Sequence, residues 1–245
     1  RRRAARRAPG GRPLGRAGGA LAGRRGLMLP LVPALPAGRA LRLLCLGAHA
    51  DDIEIGCGGT LLQLLQSRPG TEVHWVVLSG TPERRREAKE SAARFLAPAA
   101  AARVEVLDFP DARFPGAFDG LKDAFEVLKA AGTPDLVFTH RRADRHQDHR
   151  TVAELTWNAW RDHLILEYEI PKYEGDLAPP NCFVPLDRAT AERKVELLME
   201  GFPSQRDKHW YDAETFRALL RLRGLEAAAP SGYAEAFHAP KVVLG

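Results

Sequence analysis

The sequence predicts an α/β protein with a Rossmann-like, three-layer fold built on a mostly parallel sheet. From residue 41 onward, short apolar segments of strand length alternate with longer segments of helical periodicity. Polar, chemistry-bearing motifs directly follow two of the apolar segments, as expected at the carboxyl ends of parallel strands, where open α/β sheets bind their ligands. The chain of 245 residues is long enough for one such domain with a substantial core.

The individual elements can be assigned in order along the chain. Strands are predicted where apolar residues are nearly continuous or alternate with polar ones: 41–46, 72–78, 103–107, 136–138, 165–170 and, more weakly, 237–244. Helices are predicted from apolar residues at helical spacing or from long charged segments: around 61–65, then 82–96, 118–128, 151–160, 189–200 and 213–223. Strands separated by helices favour parallel pairing with right-handed crossovers, so residues 41–245 are interpreted as one catalytic domain.

Charge is distributed unevenly over the chain. Residues 1–40 hold ten Arg and no Asp or Glu, and the remaining 26 basic residues stand against 31 acidic ones. Residues 41–245 therefore carry −5, although the whole chain carries +5. The Arg-, Ala-, Gly- and Pro-rich composition of residues 1–40 predicts a disordered tail. Three interpretations of this tail stay open: an unstructured extension upstream of a start at Met28, a targeting segment, and an arm that binds nucleic acid.

Cysteine content indicates the redox compartment of the protein, and hydropathy indicates whether it spans a membrane. Three cysteines are too few, and odd in number, for a disulfide framework, which favours a reducing compartment and a cytoplasmic protein. No apolar segment reaches the roughly 20 residues that a membrane-spanning helix needs, so no membrane span is expected.

The first chemical motif lies at 47–60, between the first predicted strand and the helix that follows it. It places His49 and the adjacent carboxylates of Asp51 and Asp52 within four residues. Two neighbouring carboxylates in a partly dry site repel each other unless a cation lies between them. Helix capping by the two Asp residues is the structural alternative. If a cation is bound, His49 and Asp52, three positions apart, can share it, which leaves Asp51 free to act on a water molecule.

The second motif supplies the ligands that the first lacks. His146 and His149 stand three positions apart before a predicted helix, so they share one side of its first turn. Two imidazoles and one carboxylate, with a position left for water, form a common catalytic zinc site. We therefore assign His49, Asp52 and His149 to one metal ion per chain, and Asp51 and His146 to a base and acid pair across the water.

At these two motifs the chain resembles the zinc-dependent N-acetylglucosaminyl deacetylases, the PIG-L or LmbE-like family. The family signature is Ala-His-Pro-Asp-Asp, a glycine-rich turn, and His-Pro-Asp-His roughly a hundred residues later. Here Ala50 and Gln147 replace the two prolines, and neither position contributes a ligand. The resemblance extends weakly over most of residues 41–245.

The resemblance implies a Rossmann-like fold, one Zn²⁺, and removal of an acetyl group from an amino sugar or amino-sugar conjugate. By position it implies the same ligands and the same base, with His146 as acid or oxyanion stabiliser and Asp148 orienting that imidazole. It further implies that an Arg near the start of the 82–96 helix contacts substrate, for which Arg84 is the best-aligned residue. A surface role is the alternative for Arg84.

Other function classes receive less support from the residues. Gly56, Gly58 and Gly59 do not fit the dinucleotide fingerprint, and residues 78–81 offer no ribose-binding acid after the second strand. A nucleic-acid-binding role would rest on the Arg-rich tail alone. Within the enzyme class, hydrolysis of another amide or an ester is the main rival, because substrate choice is set by loops that the motifs do not define. A homo-oligomer is a further possibility on which the sequence is silent.

Overall fold

The computed structural model describes residues 38–243, so nearly all of the predicted tail at 1–40 lies outside the described residues. The described part contains one seven-stranded sheet and six α-helices, which confirms the predicted fold class. The strands are β1 Arg42–Gly47, β2 Glu72–Ser79, β3 Ala101–Phe109, β4 Leu136–His140, β5 Leu164–Tyr168, β6 Cys182–Leu186 and β7 Tyr233–His238. The helices are α1 Asp52–Ser67, α2 Pro82–Phe95, α3 Phe118–Ala130, α4 Gln147–Ala159, α5 Arg188–Gly201 and α6 Ala213–Glu226.

The order of the strands places a topological switch point between β1 and β4, at the middle of the sheet. The order is β3-β2-β1-β4-β5-β7-β6, and β1 to β5 are parallel to one another, whereas β7 is antiparallel to both neighbours. The chain moves outward from β1 to β3 and then returns to the other side of β1 with β4. Connections therefore leave β1 and β4 toward opposite sides, and ligands bind at such a switch point, outside the carboxyl ends of the strands.

The helices form two layers, one on each face of the sheet. Helices α1, α2, α5 and α6 contact one another and share a core with alternate residues of the central strands, such as Cys45 and Trp75. Helices α3 and α4 cover the other face, where the intervening residues Leu46 and Val76 pack against them. Both faces of the parallel strands are thus buried, which explains their nearly continuous apolar sequence.

Helix α1 lies unusually close to the sheet because of its glycines. The α-carbon of Gly56 faces Tyr168, whose ring is fully buried and whose hydroxyl donates to the carbonyl of Leu46 at 2.6 Å. A β-carbon at position 56 would lie 2.3 Å from the Tyr168 ring. The glycines therefore allow a close approach of the helix backbone to the side chains of the sheet.

Gly56→Ala is expected to lower the free energy of unfolding by about 2 kcal/mol, since a buried ring must shift to admit the methyl group. Urea denaturation measures the loss. Gly132→Ala is the matched control, because a β-carbon there has no neighbour within 4 Å, and it should change stability by less than about 0.5 kcal/mol. Equal effects of the two substitutions would contradict the packing argument.

The structure corrects the predicted C-terminal elements. Strand β6 is not among the predicted strands; it contains Pro185, which it tolerates because it forms the edge of the sheet. The last strand covers Tyr233–His238 rather than 237–244. The first part of this strand is hard to recognise in the sequence because it contains the charged residue Glu235. In the structure Glu235 is buried, and its carboxylate pairs with Lys194 of α5 at 2.5 Å. Helices α1 and α4 also begin earlier than predicted, at Asp52 and Gln147. Within the described range, no helix combines the length and the apolar character that crossing a membrane requires.

Candidate active site

Both predicted motifs lie at the switch point of the sheet. His49 follows β1, and Asp51 and Asp52 stand at the start of α1. His146 occupies the N-cap position of α4, and His149 lies in its first turn. Because β1 and β4 are parallel neighbours, their carboxyl ends bring the two motifs together although they are about 100 residues apart in sequence.

The three predicted metal ligands converge on one point. His49 Nδ1 lies 3.2 Å from His149 Nε2 and 3.4 Å from Asp52 Oδ2, and His149 Nε2 lies 3.5 Å from Asp52 Oδ1. Ligand atoms about 2.05 Å from a tetrahedral zinc ion stand about 3.3 Å apart. The spacing and the donor types of these residues thus fit a zinc-sized cation. Asp52 and His149 are buried, and His49 is partly exposed.

Carboxylates orient both imidazoles. Asp144 Oδ2 lies 3.0 Å from Nδ1 of His149, so a proton on that nitrogen leaves Nε2 free to bind a cation. On His49, Nε2 lies 3.0 Å from Asp111 and 3.3 Å from Asp148, which leaves Nδ1 free in the same way. Pairing each ligating imidazole with a carboxylate is the usual support around a metal ion.

The pKa shifts of His49 and Asp52 indicate that the cluster favours a positive charge. Burial alone lowers the pKa of His49, but hydrogen bonds to Asp111, Asp148 and Asp52 raise it well above its ordinary value. Burial alone raises the pKa of Asp52, yet the charges of His140 and His149 hold it well below its usual range. Asp52 is therefore an anion, and a metal ion can replace the proton on His49.

Asp51 does not serve as a helix cap. It stands at the N-cap position of α1, but its side chain makes no capping hydrogen bond. Its Oδ1 pairs with Nη2 of Arg84 at 2.9 Å, and its buried Oδ2 has no hydrogen-bond partner within residues 38–243. A buried carboxylate oxygen without a partner is costly unless something else uses it, such as a water molecule or a substrate.

Arg84 lies beside the site, mostly buried. Besides Asp51, its guanidinium contacts Glu87 at 3.2 Å and Ser204 at 3.3 Å, and it lies over the ring of Phe202. The predicted substrate contact of Arg84 stays a prediction. The observed contact shows that Arg84 fixes the orientation of Asp51.

The expected partner of Asp148 requires a correction. Asp148 accepts hydrogen bonds from the backbone N–H groups of Ala112 and Phe114, at 2.7 and 3.1 Å, and approaches His49. The structure thus places Asp148 against His49, and it does not orient His146 as expected. Asp148 is fully buried in the first turn of α4, whereas His146 precedes the helix at its N-cap position.

His146 lies next to both histidines that are predicted to bind the metal ion. Its ring centroid is 5.0 Å from that of His49 and 4.5 Å from that of His149. Burial and the positive charges of His149 and His49 lower its pKa, so its neutral form is favoured in the metal-free protein. A neutral imidazole retains one N–H that can donate to a substrate oxygen.

The sequence interpretation gave no role to His140. This fully buried residue ends β4, stacks on His149 at 3.9 Å, and its Nε2 lies 3.1 Å from Asp52 Oδ2. The same nitrogen receives the N–H of Ala48 at 3.0 Å. His140 therefore packs behind two ligands. Its position at the end of a strand neighbouring β1 was the available signal, but nothing in the sequence showed which way it points.

Asp144→Asn is expected to weaken metal binding roughly 10- to 100-fold, because the amide holds His149 less firmly in the metal-binding tautomer. Titration of the metal-free protein with Zn²⁺ against a competing chelator measures the change. Asp162→Asn is the control, since Asp162 makes a similar 2.9 Å contact to His163 at the surface, away from the site. Unchanged affinity in Asp144→Asn, with the fold intact by circular dichroism, would contradict this supporting role.

Comparison with known proteins places this geometry in a family. Residues 44–160, which contain both motifs, match the family model for PIG-L, described as GlcNAc-PI de-N-acetylase. The uncharacterized deacetylase YaiS of Escherichia coli K12 is 35% identical over 141 residues, covering 53% of this chain and 74% of that protein. The chain belongs to the PIG-L deacetylase family. As a PIG-L deacetylase it is a hydrolase that acts on N-acetyl amide bonds.

Several solved structures resemble this PIG-L protein in fold. The N,N'-diacetylchitobiose deacetylase of Pyrococcus horikoshii has a TM-score of 0.63 and 22% identity, covering 81% of this chain and 83% of that one. The 4-carboxy-2-hydroxymuconate hydratase GalB of Pseudomonas putida KT2440 also has a TM-score of 0.63, with 18% identity over 84% of this chain and 99% of that one. At these identities the likeness shows the fold alone, and the fold carries more than one chemistry.

Proposed function

We propose that this PIG-L protein is a zinc-dependent deacetylase that hydrolyses the N-acetyl group of an amino sugar or amino-sugar conjugate. The observation that carries the proposal is the unpartnered, buried Oδ2 of Asp51 beside the converging ligand atoms of His49, Asp52 and His149. A free carboxylate oxygen that can act as a base and a group of ligands that can hold a cation are two requirements of metal-assisted amide hydrolysis.

Zinc is the ion that the ligands favour. Two imidazoles and one carboxylate at near-tetrahedral spacing are typical of catalytic zinc, and imidazole-rich sites disfavour magnesium and calcium. An ion held there would polarise the substrate carbonyl and lower the pKa of a bound water. His49, Asp52 and His149 would hold it, with Asp144 and Asp148 fixing the two imidazoles.

Asp51 is proposed to transfer a proton from the attacking water to the leaving nitrogen. Arg84 holds Oδ1 at 2.9 Å, so Oδ2 is the oxygen that faces a reactant. As the water oxygen bonds to the acetyl carbon, Asp51 takes a water proton, and it passes this proton to the leaving nitrogen when the C–N bond breaks. The products are acetate and a free amine.

His146 is proposed to stabilise the oxyanion as a neutral hydrogen-bond donor. The sequence suggested a protonated imidazole, but the lowered pKa of His146 favours the neutral form, whose N–H can still donate. Such a donor, aimed at the oxygen that gains charge in the transition state, accelerates acyl transfer. Asp51 then serves as both base and acid.

An N-acetylated sugar is the proposed substrate, and the family gives the reason. Its model is described by an N-acetylglucosaminyl substrate, and a protein of the same fold is named as a deacetylase of N,N'-diacetylchitobiose. Hydrolysis of another amide or an ester is the alternative. A cytoplasmic location stays a prediction from the sequence, while a homo-oligomer and nucleic-acid binding by residues 1–40 stay open alternatives.

Metal analysis together with acetate release tests the proposal. The full chain is purified without chelators, its metal content measured, and acetate and free amine quantified with a panel of N-acetylated sugars, other N-acetyl amides and acetyl esters. We expect one zinc ion per chain and equal amounts of acetate and amine from a sugar. A chain that binds no zinc even after reloading would overturn the metal assignment, and zinc with release only from non-sugars would overturn the substrate class.

A further inference from the structure

Two chain segments from outside the two motifs contact each other, and each also contacts residues that neighbour the candidate active site. The segment at 172–176 follows β5, and the segment at 202–209 follows α5. Tyr173 of the first and His209 of the second stack with their ring centroids 5.1 Å apart and their planes 9° apart. The hydroxyl of Tyr173 lies 2.8 Å from Nδ1 of His209. This pair is hereafter called the aromatic bridge.

The first segment is tied to the His149 side of the site. Lys172 lies 2.8 Å from Asp144, the carboxylate that orients His149, and 2.9 Å from Asp176. Asp176 in turn accepts the backbone N–H of Arg145, next to His146, at 2.7 Å. Because these side chains are at most 11% exposed, the contacts are well shielded from water and hold Tyr173 in place.

The second segment is tied to the Asp51 side of the site. Ser204 donates to Glu87 of α2 through its backbone N–H at 2.9 Å and its hydroxyl at 2.6 Å. Arg84 contacts the Ser204 hydroxyl and pairs with Asp51. Together with the chain between Ser204 and His209, these contacts connect Asp51 and Arg84 to the aromatic bridge, and the bridge to Lys172, Asp144 and His149.

The aromatic bridge has a surface that is exposed to solvent. Tyr173 is 71% exposed although its ring stacks on His209. Its hydroxyl is held by His209, and the ammonium of Lys172 is held by two carboxylates, so neither is free to bind a charged ligand group. A flat apolar face with a polar edge, fixed in advance, is suited to a ring that is itself apolar on its face and polar at its edge.

We propose that the aromatic bridge forms a subsite for the ring next to the N-acetylated sugar, a second pyranose of a disaccharide or longer substrate. The inference rests on the proposed function, because the ring in the subsite is defined relative to the sugar that loses its acetyl group. A pyranose carries C–H groups on its face and hydroxyls at its rim, which matches the surface of Tyr173. The subsite would favour disaccharides over monosaccharides.

The test compares kcat/KM for N,N'-diacetylchitobiose with kcat/KM for N-acetylglucosamine, using the full zinc-loaded chain. The ratio of the two is expected to fall roughly tenfold in Tyr173→Ala, because the stacking face is lost. Tyr173→Phe keeps the ring and should retain most of the ratio. Leu225→Ala is the control, since Leu225 is 72% exposed on α6, and its ratio should equal that of the wild type. An unchanged ratio in Tyr173→Ala, or an equal loss on both sugars, would overturn the subsite.

A binding measurement separates this inference from the proposed function. The deacetylated disaccharide of glucosamine and free glucosamine are titrated into the same variants and followed by saturation-transfer NMR. Acetate release from neither substrate would count against the proposed function, while a disaccharide preference that is lost in Tyr173→Ala would still support the subsite. Equal binding of the disaccharide by wild type and Tyr173→Ala, or no binding by either, would overturn it.

Discussion

Asp51→Asn is expected to lower kcat roughly 10²- to 10⁴-fold, the range for loss of a positioned general base. Asparagine keeps the shape of the side chain and can still accept a hydrogen bond from Arg84, but its amide cannot take a proton from water. Because Asp51 is not one of the converging ligands, zinc content should stay at the wild-type value. Acetate release and metal analysis on the same preparation measure both quantities.

The control for Asp51→Asn is Asp187→Asn. Asp187 also stands at a helix N-cap, but it does cap α5, accepting the N–H of Thr190 at 2.7 Å. We expect this variant to keep both its stability and its activity, because the side-chain oxygen of asparagine caps a helix about as well as that of aspartate. Near-normal turnover in Asp51→Asn would refute its assignment as the base. If zinc were lost together with activity, Asp51 would instead be a ligand or a support for one.

His49→Ala is expected to abolish zinc binding and activity together. The substitution removes one of three protein ligands and leaves Asp52 and His149 alone, so the loss of affinity should exceed the roughly 100-fold limit for a supporting residue. Asp144→Asn, by comparison, keeps all three ligands. Metal analysis after dialysis against buffer without zinc measures the outcome.

The fold of His49→Ala must be checked separately, because His49 is packed among Phe114, His146 and His149. Thermal unfolding of the metal-free wild type and variant should give similar midpoints. His163→Ala controls for the loss of a histidine, since the side chain of His163 pairs with the exposed Asp162 in the β4–β5 connection, away from the site. Wild-type zinc content in His49→Ala would remove His49 from the ligand set.

The sequence by itself determined the fold class, the order of most strands and helices, and the two motifs that meet at the switch point. These follow from local patterns, because apolar periodicity depends on neighbours along the chain and parallel strands place their carboxyl ends together. That rule and the spacing within each motif were enough to predict that His49, Asp52 and His149 lie close together. The mostly parallel sheet then brought side chains of the two motifs within 3.5 Å of each other.

Only the tertiary structure decided which side chains support that site. Whether Asp148 faces His49 or His146, and whether Asp51 caps a helix or meets Arg84, depends on how separate loops approach each other. Strand β7 shows the same limit of prediction from sequence, because its buried Glu235 is neutralised by Lys194, which lies in helix α5. A charged residue in a sequence signals exposure, and only its partner in space can make its burial favourable.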